Sequence, residues 1–225
     1  MTRPCLPALV LVLLARGAGA GEVPGTVIAL EVLVPPSPGQ VPTAAPPRFV
    51  LLESGDVFVG GTNRLAAGRL GKDEMRSLLK EVDQLRKLPG LGSTVSFGAE
   101  WPRLRLTLRK GRPLEIVVSG DPAAAPASLR PLASLLLDLS AYDHPSLRPH
   151  APASFALRAS EGSLPGGCRG WTFDVSATEV TVSARSVAAA AATGWPTGAT
   201  AASACVGAKS YIVTLRPLLP GERAE

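Results

Sequence analysis

Leucine alternates with polar residues through residues 103–108, with Leu104, Leu106 and Leu108 on one side and Arg103, Arg105 and Thr107 on the other. A period of two marks a strand with one packed face and one wet face. Residues 113–119 are again β-rich, and Lys110-Gly111-Arg112 between the two runs predicts a hairpin turn. A second hairpin is predicted where Phe49-Val50-Leu51-Leu52 and Val57-Phe58-Val59 flank Glu53-Ser54-Gly55-Asp56, because Gly55 can take the positive φ of a tight turn. Residues 26–34 are almost continuously apolar, as in a strand covered on both faces.

The pattern changes to a helical period at Met75, Leu78, Leu79, Val82 and Leu85, whose three-and-four spacing puts all five on one face. Asp73 and Glu74 stand in the first turn and Arg86 and Lys87 in the last, each sign where the helix dipole favours it, and Pro89-Gly90 ends the element. Leu129, Leu132, Leu135, Leu136 and Leu139 form a second stripe, with Ser128 as N-cap and Pro131 in the first turn. Residues 91–94 read as a connector, since a phosphate loop needs a preceding strand, a following helix and a lysine. The order β, β, α, β, β, α predicts an α+β fold, an antiparallel sheet with two amphipathic helices on one face.

Beyond Pro145 the elements shorten. Strands are predicted at Phe155 and Leu157, at Trp171, Phe173 and Val175, at Val180 and Val182, and at Tyr211, Val213 and Leu215. Ser186 followed by residues 187–192 predicts a brief alanine helix ended by Gly194. Residues 145–225 thus form either a β-rich subdomain or extra strands on the first sheet. Residues 35–47 hold six prolines and read as a loop within a first domain spanning 21–144. No internal repeat of fixed period is present.

Residues 1–20 have the layout of a secretory signal: Arg3, an apolar run from Leu6 to Ala15, and small residues at Ala18 and Ala20 that place cleavage between Ala20 and Gly21. The rival reading is an uncleaved amphiphilic N-terminus or membrane anchor, although the run is too short to span a bilayer as a helix. Cys5 precedes the apolar run, which is not the lipoprotein arrangement. The expected mature chain is exported to a periplasmic or extracellular space and carries no membrane span.

Across 225 residues the formal charge is +5, and loss of Arg3 and Arg16 would leave +3. The remaining positives are scattered without interleaved aromatics, so no nucleic-acid partner is expected. With 46% hydrophobic but only 4% aromatic residues, the core must be built from Leu, Val and Ala. Cleavage would remove Cys5 and leave Cys168 and Cys205, which predict one disulfide in an oxidising space. The alternative, two free thiols with one nucleophile, lacks a CxxC spacing and a nearby histidine.

Candidate chemistry is sparse. Asp143, His144 and His150 could be imagined around a metal, but adjacent ligands diverge and Pro145 and Pro149 bend the chain. A serine hydrolase could draw on His144 with Ser163 or another serine, yet no G-x-S-x-G elbow exists. Glu53 with Asp56 flank a turn and Asp73 with Glu74 open a helix, which accounts for both carboxylate pairs without glycoside chemistry. No catalytic residue, cofactor or metal is therefore expected. Trp101, Trp171 and Trp195 lie among glycines and prolines, either anchoring a ligand or covering the edge of a small core, with core covering the favoured role.

The stretch 48–142, with Phe49-Val-Leu-Leu, Glu53-Ser-Gly-Asp-Val-Phe-Val and the KDEMRSLLKEVDQLRK helix, resembles uncharacterised exported proteins of high-GC bacteria. The resemblance implies a bacterial cell-envelope setting and supplies no catalytic residues. The expected role is a non-catalytic binding or accessory protein for an unknown protein or envelope ligand. Its alternatives are a hydrolase of envelope polymers or peptides with His144 as base, and a protease inhibitor presenting a Pro/Gly-rich loop.

Overall fold

A computed structural model of the chain describes residues 23–33, 48–60, 65–89, 91–100, 102–197 and 201–224. Cys5, the cleavage pair Ala20 and Gly21, the proline-rich loop at 35–47 and Trp101 lie outside the described residues.

The first part of the chain runs β1 (Thr26–Leu33), β2 (Phe49–Leu52), β3 (Asp56–Gly60), β4 (Leu65–Arg69), α1 (Lys72–Leu85), β5 (Thr94–Phe97), β6 (Arg103–Leu108), β7 (Leu114–Gly120), α2 (Arg130–Ser140) and β8 (Arg148–Pro149). Its eight strands make one sheet in the order β5-β7-β6-β1-β2-β3-β4-β8. Every pairing is antiparallel except β5 with β7, which is parallel. Both predicted hairpins are present, with Gly55 at φ 86° and Gly111 at φ 77°.

The alternation of the leucines decides what this sheet covers. Ile28, Leu30, Phe49, Leu51, Val57, Leu104, Leu106, Leu108, Ile116 and Val118 share one buried cluster with Val82 and Leu85 of α1 and Leu132, Leu135, Leu136 and Leu139 of α2. Strand β1 is apolar at most positions because both of its faces are covered: Ala29 belongs to a second cluster with Val23, Val50, Phe58, Leu65 and Leu219. Leu219 comes from the far end of the chain, so the C-terminal segment packs back onto this first sheet.

The remainder builds a second sheet from β9 (Ser154–Glu161), β10 (Arg169–Gly170), β11 (Arg185–Ala188), β12 (Ala201–Val206) and β13 (Lys209–Pro217), in the order β10-β12-β13-β9-β11. A short helix, α3 (Ala177–Val182), lies between β10 and β11. Phe155, Leu157, Tyr211, Val213 and Leu215 pack with Phe173, Val180 and Trp195 in its own core. Cys168 and Cys205 form the predicted disulfide, their Cα atoms 5.7 Å apart, and so fix the loop before β10 to β12.

Several local expectations are corrected. Strands β4, β5 and β8 add three members to the first sheet, and β5 begins where the connector was expected to end. Ser128 is not the N-cap of α2; it sits in a 3-10 turn over Ala127–Leu129, and Leu129 occupies the cap position. The last turn of α1 holds no basic residue, since Arg86 is its C-cap, where the guanidinium donates to the carbonyls of Lys110 and Arg112. Val180 and Val182 lie on helix α3 and not on a strand, and Val182 is 85% exposed. Ser186 and Val187 belong to β11, and only Ala189–Ala192 wind, as a 3-10 helix. Trp171, Phe173 and Val175 follow the two-residue β10 as irregular chain.

Among the described residues no helix is long and apolar enough to cross a membrane.

Candidate functional site

The loop that follows α2 carries most of the candidate chemistry, and α1 positions it. Gly71 N–H donates to Glu74 Oε2 at 2.7 Å, which holds the Glu74 carboxylate over the start of α1. The other oxygen, Oε1, lies 3.1 Å from His144 Nε2. On the far side of the ring, His144 Nδ1 is 2.7 Å from Ser146 Oγ, and Ser146 N–H donates to the same nitrogen at 3.2 Å. A backbone N–H can only donate, so Nδ1 is the acceptor, and Nε2–H is left to donate a hydrogen bond to Glu74 Oε1.

This chain of contacts has the order carboxylate, imidazole, hydroxyl. Ser146 is one of the serines the sequence leaves open for His144, whereas no local spacing reveals Glu74, which is seventy residues away. The hydrogen bond from His144, then that from Gly71, holds the Glu74 carboxyl below its ordinary value. Ser146 Oγ, however, also accepts from Arg69 N–H at 3.0 Å. A Cβ on Gly68 would come within 2.5 Å of that oxygen, so the hydroxyl is pressed against the β4 backbone. Satisfied on both sides and backed by chain, it ties the loop to β4 and α1.

Next to this staple opens a groove of about 760 Å³. Its described lining comes from Arg48 before β2, Val59 and Gly60 of β3, Leu65 and Ala66 of β4, Ser140 to Tyr142 at and after the end of α2, and Leu147 to His150 around β8. Arg48 Nε donates to Ser140 O at 2.6 Å, placing a cation at the C-terminal end of α2. Arg148 Nη1 donates to the carbonyls of Pro145 and Leu147, each at 2.7 Å. Tyr142 meets Phe49 edge to face at 4.9 Å, and His150 meets Phe58 the same way at 5.5 Å. Burial, and secondarily the Glu74 carboxylate, raise the Tyr142 phenol above its ordinary value.

The other sequence candidates are placed apart. Asp143 is exposed, His144 faces Glu74 and His150 faces Phe58, and no group of three potential ligands is assembled among the described residues. Ser163 is exposed in the loop after β9. Asp56 accepts from Ser54 Oγ at 2.6 Å, and Asp73 pairs with Arg76 at 2.6 Å. Trp171 Nε1 donates to Val175 O and Trp195 Nε1 to Thr172 Oγ1, while both rings pack in the second core. Sequence reasoning missed the groove because no motif spans it; only the pairing of β4 with β8 brings its walls together.

Compared with known proteins, the chain matches no protein-family model, no curated protein and no solved structure.

Proposed function

We propose that this chain is an exported, non-catalytic binding protein of the bacterial cell envelope, and that its ligand occupies the groove between Arg48, Tyr142 and Arg148. The observation that carries the reading is the groove itself, whose volume lies in the range of small-molecule sites and whose described lining combines arginine and tyrosine with apolar side chains. The disulfide supports an oxidising destination, since such bridges persist outside the cytosol. The shared cluster of α1, α2 and the leucine strands supports laying both helices on one face of the larger sheet, as a rigid base for the site.

The test has two arms. N-terminal sequencing of protein recovered from a periplasmic extract should begin at Gly21. Thermal unfolding against a panel of neutral, anionic and cationic small molecules should give saturable stabilisation by at least one. Leu147→Trp and Ala66→Leu, which fill the groove from two sides, should abolish it. A panel with no stabilising member overturns the reading.

A hydrolase is the second reading, favoured by the Glu74, His144, Ser146 chain. It ranks lower because Ser146 Oγ is held by Arg69 N–H and backed by Gly68, which blocks the approach a nucleophile needs. Hydrolysis of short-chain p-nitrophenyl esters that is lost in Ser146→Ala would reverse the ranking.

A further inference from the structure

The Cys168–Cys205 bridge secures a stretch of chain that has no place in a core. Residues 165–170 are all exposed, and among the described residues none from 162 to 170 joins an apolar cluster. Gly166 and Gly167 turn the chain into Cys168 at φ 106° and 96°, and a Cβ on either would meet nothing within 4 Å. The other ties are polar: Leu164 N–H donates to Ser203 Oγ at 2.6 Å, the Arg169 guanidinium donates to Gly194 O, and β10 pairs with β12 over only two residues. A segment without buried apolar side chains opens at small cost once its crosslink is gone. Beneath it lies the second core, since Arg169 Cζ stands 5.9 Å from the centre of the Trp195 ring, which is 9% exposed and packs on Phe173 at 4.9 Å. The two sulfurs differ in access. Cys168 is exposed, whereas Cys205 is half-buried in β12 with Ser210 Oγ 3.5 Å from its Sγ.

We propose that this bridge is a redox latch, opened by a dithiol that attacks Cys168 and so frees residues 162–170 from Trp195 while both sheets stay folded. One thiolate of the dithiol bonds to Cys168 Sγ, the bond between the two cysteines breaks, and its electron pair leaves on Cys205 Sγ. The Ser210 hydroxyl is placed to donate to that departing thiolate. The second thiolate of the dithiol then attacks its own sulfur in the mixed disulfide and releases Cys168. The dithiol is thereby oxidised to a disulfide, and its two protons pass through solvent to Cys168 and Cys205. The same exchange run backwards closes the latch. Access selects the sulfur attacked, and the hydrogen bond selects the one that leaves. The latch lies in the second sheet and does not depend on what the groove binds.

Reduction of the oxidised full chain by dithiothreitol tests it, with Cys5→Ser carried throughout so that the bridge holds the only two cysteines. The rate should rise in proportion to dithiothreitol and exceed the rate of global unfolding, taken from urea kinetics, at least tenfold. Reaction with reduced glutathione followed by acid quench should place the adduct on Cys168 at least ten times as often as on Cys205. Ser210→Ala should slow reduction at least threefold with the melting temperature unchanged. Acrylamide quenching of tryptophan should rise on reduction while far-UV circular dichroism holds, and Trp195→Phe should remove most of that rise. Oxidised glutathione should restore the starting quenching. Reduction no faster than global unfolding, adducts mainly on Cys205, unchanged quenching, or collapse of the circular dichroism on reduction each overturns the latch. A rate indifferent to Ser210→Ala overturns the assignment of Cys205 as the leaving sulfur.

Discussion

Arg216 Nη1 lies 2.6 Å from Glu222 Oε1, with the two side chains only 5% and 0% exposed. Glu222 Oε2 also accepts from Leu219 N–H at 2.8 Å, so one carboxylate holds both the last strand and the segment that returns to the first sheet. Removing one partner strands a buried charge, which costs about 3–5 kcal/mol. Arg216→Met and Glu222→Gln should each lower stability by that order in urea unfolding. The double change Arg216→Met with Glu222→Met should recover most of the loss, and additive losses would contradict the pairing.

Two carboxyls should leave opposite marks on the pH profile. Burial outweighs the neighbouring Arg105 and raises the Glu31 carboxyl above 4.5. A raised folded-state pKa means ionising Glu31 costs the native chain more than the unfolded one, so its penalty is absent at low pH and grows as pH climbs through the folded value. Glu74 is lowered from 4.5, so its contribution is present above 4.5 and is lost as pH falls through the lowered value. Glu31→Gln should therefore flatten the decline in stability above pH 4.5, and Glu74→Gln should flatten the loss below it. Urea midpoints measured from pH 3 to 8 distinguish the two, and parallel profiles for wild type and both variants would refute the assignment.

Gly68 is required by proximity rather than by its φ. An added Cβ would sit 2.5 Å from Ser146 Oγ and 3.1 Å from Leu147 N, and the second contact is to backbone that cannot swing away. Gly68→Ala should cost roughly 1–3 kcal/mol, the usual scale of overpacking. Adding Ser146→Ala should recover only part of that. Full recovery would show that the hydroxyl alone sets the constraint.

Reduction of the Cys168–Cys205 bridge, or Cys168→Ser with Cys205→Ser, should lower stability by roughly 2–5 kcal/mol. The loss should register first in hydrogen exchange of β10 and β12, which the bridge joins. Unchanged exchange in those strands after reduction would count against a structural role for it.

How much of this was legible in sequence depends on how local the cause was. Leu104, Leu106 and Leu108 announced β6 because a period of two aligned with burial, and all three are fully or almost fully buried. Helix α3 was misread because Val180, Thr181 and Val182 favour strands, yet only Ala177 and Val180, three apart, are buried in it. Its legible signal was the cap, since Ser176 Oγ accepts from Glu179 N–H and the pair forms an S-x-x-E pattern. The alanines after Ser186 were read as helix, but pairing of Val187 with Phe155 draws the first of them into β11. The groove was invisible because its walls meet only after β8 docks on β4.

Val23 and Leu219 share one apolar cluster with Ala29, Val50 and Phe58, although they stand near opposite ends of the described chain. During synthesis β1 and β2 must wait for Leu219, far downstream, before that face is sealed. A chain threaded from its N-terminus through a narrow passage would thus keep an unsealed surface on the first sheet until Leu219 had emerged. Circular joining of the two ends would bring the partners together at once, and so convert a late, distant contact into a local one.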